Sequence, residues 1–155
     1  ACYTKDIVKE GQLITLLYNL KTALKDGVKT TGNASRPSYS STVDISPSNF
    51  YIKPGEHSLE GLQEKMGNGL LITELQGLHS GANTISGDFS LAAKGFEIKN
   101  GKIIRPVEQI TVAGNFYRVL EDIEEAGSDL KFGLPSGGGC FGSPSLLIRE
   151  LSVAS

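Results

Sequence analysis

Two histidines and two cysteines are the side chains of this chain best suited to hold a metal or attack a carbonyl, and their spacing limits what they can do. His57 and His79 stand far apart, and neither HExxH nor HExxxH occurs, so the imidazole pair one helical turn apart that opens many hydrolytic zinc sites is missing. Both read as surface histidines, which only tertiary structure could bring to Cys140. Cys140 follows Gly137-Gly138-Gly139, where backbone amides could form an anion pocket and lower a thiol pKa. With His79 as base it would be a nucleophile; the plain alternative is a small apolar residue at the entry to the last strand. Phosphate cradles fail in detail. Gly67-Asn68-Gly69 runs into Leu70-Leu71-Ile72 rather than a helix, and the triple glycine precedes Cys-Phe-Gly rather than Lys-Ser/Thr. Among carboxylates, the run from Glu121 to Glu125 reads as the wet side of a helix. Asp88, within Ser86-Gly87-Asp88-Phe89-Ser90, is either a functional carboxylate among hydroxyls or an Asx/Ser turn.

Composition narrows the classes further. The 155 residues include 19 Gly, 39% apolar and 21% charged residues, with a net charge of −2. One domain spanning 1–155 is expected, large enough to need no disulfide scaffold. Near-neutral charge argues against direct nucleic-acid binding. No apolar run approaches the roughly 18 residues of a membrane span, and no signal peptide is visible. Ala1 at the start and Met66 as the sole methionine suggest a piece of a longer protein. With two thiols and no leader, a cytoplasmic location is expected.

The elements that must position these residues are legible from turns and periodicity. Residues 3–8 and 12–18 read as a hairpin about Gly11, followed by a helix over 19–26 capped by Asn19, with Leu20, Ala23 and Leu24 as its apolar stripe. Residues 32–47 form a long loop, 49–52 a strand, and 58–66 a helix capped by Ser58. Residues 69–75 read as a strand buried on both faces, and 77–87 as a loop. Asn100-Gly101 joins strands 89–99 and 102–107, with strand continuing over 109–113. Asn115 caps a helix expected over 116–126, 129–142 is a second long loop, and 146–153 alternates as the closing strand. The expected fold class is α+β, a mainly antiparallel sheet with about three short helices packed on it.

The order of segments is more distinctive than any one of them. Thr30-Thr31-Gly32-Asn33-Ala34-Ser35-Arg36 is followed by GLLITEL (69–75), SGDFS (86–90), AKGFEIKNG (93–101) and IIRPVEQITVAG (103–114). This ordered set resembles the C-terminal domain of the TldD/PmbA family, long labelled modulators of DNA gyrase and now treated as metallopeptidases. The resemblance runs from about Asp6 to the last strand. GLLITEL, SGDFS and the missing HExxxH are similar to the PmbA (TldE) branch rather than the TldD branch, whose members hold zinc with the two histidines of that motif and a late cysteine.

The resemblance implies that this chain is the C-terminal domain of a longer PmbA/TldE-like protein. Cys140 lies where the family's late cysteine sits, but without the two histidines it is not carried over as a zinc ligand. No catalytic or metal residue is therefore assigned to this chain, and zinc is expected in a TldD-like partner. The implied role is that of an accessory, non-zinc-binding subunit in cytoplasmic proteolysis of unfolded or leader peptides. Asn33, Arg36, Asp88, Ser90 and Cys140 are the candidate motif or substrate-surface residues, and the three long loops the candidate surfaces. An extended peptide adding to an antiparallel edge would suit that role. Homodimerisation is a further expectation. Two other readings compete: a binding protein that modulates DNA gyrase without proteolysis, and a cysteine hydrolase built on Cys140 and His79.

Overall fold

In the computed structural model, which describes residues 3–135 and 139–155, Glu10 and Gly11 take φ of 51° and 74° and turn β1 (Val8–Lys9) into β2 (Gln12–Leu13). Cys2, Gly137 and Gly138, on which the sequence reading drew, lie outside the described residues. The hairpin is as expected; its strands are shorter, because only Val8↔Leu13 and Lys9↔Gln12 pair. Helix α1 (Leu20–Asp26) has the predicted ends. Asn19 accepts from the Thr22 N–H, Thr22 reciprocates at the Asn19 N–H, and Gly27 closes the helix at φ 68°. Its stripe is the surprise: Ala23 is buried, while Leu20 and Leu24 are 76% and 85% exposed. Within the loop expected over 32–47, β3 (Ala34–Ser35) pairs with β4 (Asp44–Ile45). β5 (Asn49–Tyr51) follows.

Helix α2 (Leu59–Met66) begins at the Ser58 cap, whose hydroxyl accepts from the Gly61 N–H, and buries Leu62 and Gln63. β6 (Gly69–Gln76) is an edge strand rather than one buried on both faces. Leu70 and Ile72 pack on the core, but Leu75 is 43% exposed. A short helix, α3 (Leu78–Gly81), interrupts the next loop. β7 (Asp88–Lys99) and β8 (Lys102–Asn115) are joined by Asn100 and Gly101 at φ 50° and 73°, the type I′ geometry that Asn-Gly favours.

Asn115 caps α4 (Phe116–Glu121) as predicted, but the helix stops there and residues Ile123–Ala126 form β9. Continuing the helix would stack Glu121, Asp122, Glu124 and Glu125 as like charges near its negative end. As a strand, Ile123 and Ala126 pair instead with Ile148 and Leu146. Beyond Glu121, which ends α4, the acidic run is accordingly not a helix face: Asp122 and Glu124 take Arg149 at 3.3 and 3.5 Å. The second long loop contains β10 (Lys131–Phe132) and leads to β11 (Cys140–Ser143), which runs parallel to β5, Phe141 opposite Phe50. The expected closing strand breaks into β12 (Leu146–Ile148) and β13 (Ser152–Ala154), which serve different sheets.

Contacts separate two compact units: Ala1–Ile52 with Lys131–Gly142, and Lys53–Leu130 with Ser143–Ser155. The first holds the β10-β11-β5 sheet, with edge-to-face pairs Phe50–Phe141 and Tyr51–Phe132. The second holds a four-stranded antiparallel sheet in the order β13-β8-β7-β6, cored by Ala93, Ile110 and Val112 with Leu70, Ile72, Phe89, Val107 and Leu151 around them. With mainly antiparallel pairing and short helices, the fold is α+β.

Candidate functional site

The four-stranded sheet positions an open concavity in the second unit. Cross-strand pairs place Leu70 opposite Glu97 and Glu97 opposite Arg105, so these three side chains share one face. With Asn68, Lys99 and Val107 they line an open groove of about 540 Å³ over Gly69 and Ile98. Ile98 is 1% exposed, and Arg105 Nε donates to Glu97 Oε2 at 2.6 Å across the groove. The sequence reading did not select Glu97 or Arg105. The signal available was the strand alternation that set Glu97 on the wet face, together with the Asn-Gly turn that fixes its partner.

Asp88 opens β7 at a turn whose side-chain acceptors are its neighbours Ser86 and Asn83. Its N–H donates to Ser86 Oγ at 3.3 Å, and the Asn83 side chain accepts from the Ile85 and Ser86 N–H groups. Asn115 is the hub the sequence reading saw only as a helix cap. Its Oδ1 accepts from the Tyr117 N–H at 3.0 Å, while Nδ2 donates to Asp88 Oδ1 at 2.8 Å and to the Ser86 carbonyl at 2.9 Å. Hydrogen bonds from Asn115, then Ser86, hold the Asp88 carboxyl below its ordinary value. Ser90 lies exposed two residues along the same strand.

In the first unit, Asn33 is buried and structural. Lys5 Nζ donates to its Oδ1 at 2.9 Å and to the Thr31 carbonyl at 2.6 Å, while Asn33 Nδ2 donates to the Ser46 carbonyl. The Tyr18 carbonyl gathers the Thr31 and Asn33 N–H groups with the Thr30 and Thr31 hydroxyls, so the TTGN segment is a clamp on the start of α1. Arg36 is exposed and donates to the Tyr39 and Ser41 carbonyls. Cys140 is half-buried at the head of β11, its thiol donating to the Gly133 carbonyl at 3.3 Å.

The histidines are placed independently. His79 is on α3, whereas His57 Nε2 lies 3.1 Å from Glu125 Oε2, an oxygen that makes no hydrogen bond among the described residues. Lys65 donates to the other Glu125 oxygen and, with His57, draws the carboxyl below its ordinary value despite partial burial. Among the described residues no three His, Cys, Asp or Glu side chains gather as metal ligands. The donor set described therefore does not fit a zinc centre, which needs at least three converging protein ligands.

Comparison with known proteins agrees with this architecture. All of residues 1–155 match the family model of the PmbA/TldA metallopeptidase C-terminal domain. The chain belongs to the PmbA/TldD metallopeptidase family. It is 36% identical over 127 residues to metalloprotease PmbA of Escherichia coli O157:H7, covering 82% of this chain and 26% of that protein. The crystal structure of a Thermotoga maritima protein described as a candidate modulator of a DNA gyrase superposes with a TM-score of 0.86 at 42% identity, covering 99% of this chain and 33% of that one. TldE from Thermococcus kodakarensis shares the fold, with a TM-score of 0.82 at 23% identity over 96% of this chain and 33% of its own. The chain thus spans about a quarter to a third of the PmbA/TldD proteins it matches.

Proposed function

We propose that this chain is the C-terminal domain of an accessory, non-zinc-binding subunit of a TldD/TldE-type metallopeptidase, acting in the cytoplasm on unfolded or leader peptides. The observation that carries the reading is the pairing of family membership with the donor set: His57 lies against Glu125, the Cys140 thiol donates to the Gly133 carbonyl, and no described triad gathers. Zinc and the hydrolytic step belong, in this reading, to a TldD-like partner. The antiparallel sheet with its unpaired edges contributes main-chain hydrogen bonding to an extended polypeptide, which demands little of its sequence. No described helix is long and apolar enough to cross a membrane.

Peptide cleavage by the chain alone and mixed with a TldD-type partner, with and without chelator, tests this. Cleavage confined to the mixture and abolished by chelator is the expected outcome, with no stoichiometric zinc on the chain itself. Zinc held by Cys140, or hydrolysis by the chain alone, would overturn it. The second reading, a non-proteolytic modulator of DNA gyrase, draws on the description of the Thermotoga maritima relative. It predicts a stable complex with intact gyrase and no cleavage products.

A further inference from the structure

Asn is followed by Gly twice in this chain, at Asn68-Gly69 and Asn100-Gly101, and both asparagines are exposed. Such dipeptides are the most open to spontaneous loss of ammonia, because glycine brings its amide nitrogen to the preceding carboxamide with no side chain in the way. The fold sets the two against each other. The Asn100-Gly101 turn rests on the end of α2, where the Asn100 N–H donates to Asn68 Oδ1 at 3.1 Å and the Gly101 N–H to the Gly67 carbonyl at 2.8 Å. A Cβ on Gly101 would lie 2.9 Å from Glu64 Cα, so turn and helix are in direct contact.

The two sites are not equivalent. Across a two-residue turn Lys99 and Lys102 form a hydrogen-bonded pair, so Ile98 bonds toward β6, where it faces Gly69. The Gly69 amide is therefore tied into the sheet ladder, and the Asn68 carboxamide is occupied by Asn100. The Asn100 carboxamide makes no hydrogen bond among the described residues, and the Gly101 nitrogen beside it is held by a carbonyl outside the sheet. Lifting the turn off α2 frees that nitrogen and leaves the ladder intact.

We propose that Asn100 is a site of spontaneous deamidation, and that the docking of its turn on Gly67 and Asn68 is the gate that slows it. When the turn lifts, the Gly101 nitrogen gives its proton to solvent and bonds to Asn100 Cγ. The Cγ–Nδ2 bond breaks, ammonia leaves with a proton taken from water, and a succinimide ring remains. Water then opens the ring at either carbonyl, giving aspartate or isoaspartate. Water is consumed, ammonia is released, and the chain gains a negative charge with no change of oxidation state. Isoaspartate adds a backbone carbon to the turn that pairs Lys99 with Lys102, and so slackens the hairpin that carries Glu97, Lys99 and Arg105 along the groove.

The test incubates the chain in mildly alkaline buffer, folded and in concentrated urea. Peptide mass spectrometry follows conversion at residue 100, and enzymatic methyl transfer scores isoaspartate. Conversion at Asn100 is expected to be about tenfold or more slower in the folded chain, since only the opened fraction reacts. Asn68→Ala removes the acceptor beneath the Asn100 N–H and should speed folded-state conversion about two- to tenfold, with the rate in urea unchanged. Asn68→Asp keeps an acceptor oxygen there and should stay slow.

Equal rates in the folded chain and in urea overturn the proposal, as does folded-state conversion faster at Asn68 than at Asn100. A folded Asn68→Ala chain that converts no faster than the native one removes the gate. Should Asn68→Ala unfold the chain, as circular dichroism would show, the folded-to-urea ratios of the native and Asn68→Asp chains still decide.

Discussion

Asn115 does three jobs with one amide: it caps α4, holds the Ser86 carbonyl, and fixes the Asp88 carboxylate. Replacing it with Ala removes the cap and leaves two acceptors unmet, so a loss of about 1–2 kcal/mol is expected. Thermal unfolding should show this as a drop of about 2–8 °C in Tm. Asp88→Asn keeps the shape but not the charge. Asp88 and Glu125 both titrate below their ordinary values in the fold, Asp88 through Asn115 and Glu125 through Lys65. A depressed carboxyl stabilises the fold above its unfolded pKa, and that contribution is lost as pH falls through the folded value. Urea unfolding should therefore weaken below about pH 4, with a shallower slope for Asp88→Asn. At this scale the sequence told which residues turn the chain, because Asn19, Ser58, Asn100 and Asn115 act through neighbours a few positions away. It could not tell that Lys5 reaches Asn33, or that Lys65 and His57 converge on Glu125, since those pairings depend on tertiary folding.

Elements were legible where local chemistry and long-range pairing agree. The Asn100-Gly101 hairpin is such a case, and so are both ends of α1. The helix expected over 116–126 is the opposite case: its apolar spacing is genuine, yet β12 offers Ile123 and Ala126 strand partners while the acidic run disfavours a helix end. The parallel pairing of β5 with β11 left no local trace either. Close approach between β6 and β7 is specified by Gly95, where an added Cβ would lie 1.9 Å from the Leu71 carbonyl oxygen. Gly95→Ala should cost more than about 3 kcal/mol, because backbone rather than a side chain must move. Denaturant unfolding of the variant measures this, and hydrogen exchange should find the lost protection concentrated in β6.

For the molecule as a whole, the α+β class and the family were both readable from segment order, while the candidate site was readable only in part. Asn33 is buried and bonded within the first unit, and the groove is lined largely by residues of the segments 69–75, 93–101 and 103–114 that were not singled out as site residues. The exposed stripe of α1 makes a distinct forecast. Leu20→Lys and Leu24→Lys should each change unfolding free energy by less than about 0.5 kcal/mol in the chain, a tolerance no core leucine would show. The two units also alternate along the chain, since Asn49–Tyr51 waits for Cys140–Gly142 while residues 53–130 intervene. On a ribosome adding about 5–20 residues per second, that wait is on the order of 5–20 s. Through that interval β5 emerges without its neighbour, and the second unit is finished only by residues made after β11. Synthesis therefore cannot complete either unit before the other has begun, and a nascent chain stalled near residue 130 holds two incomplete units, each a candidate for chaperone capture.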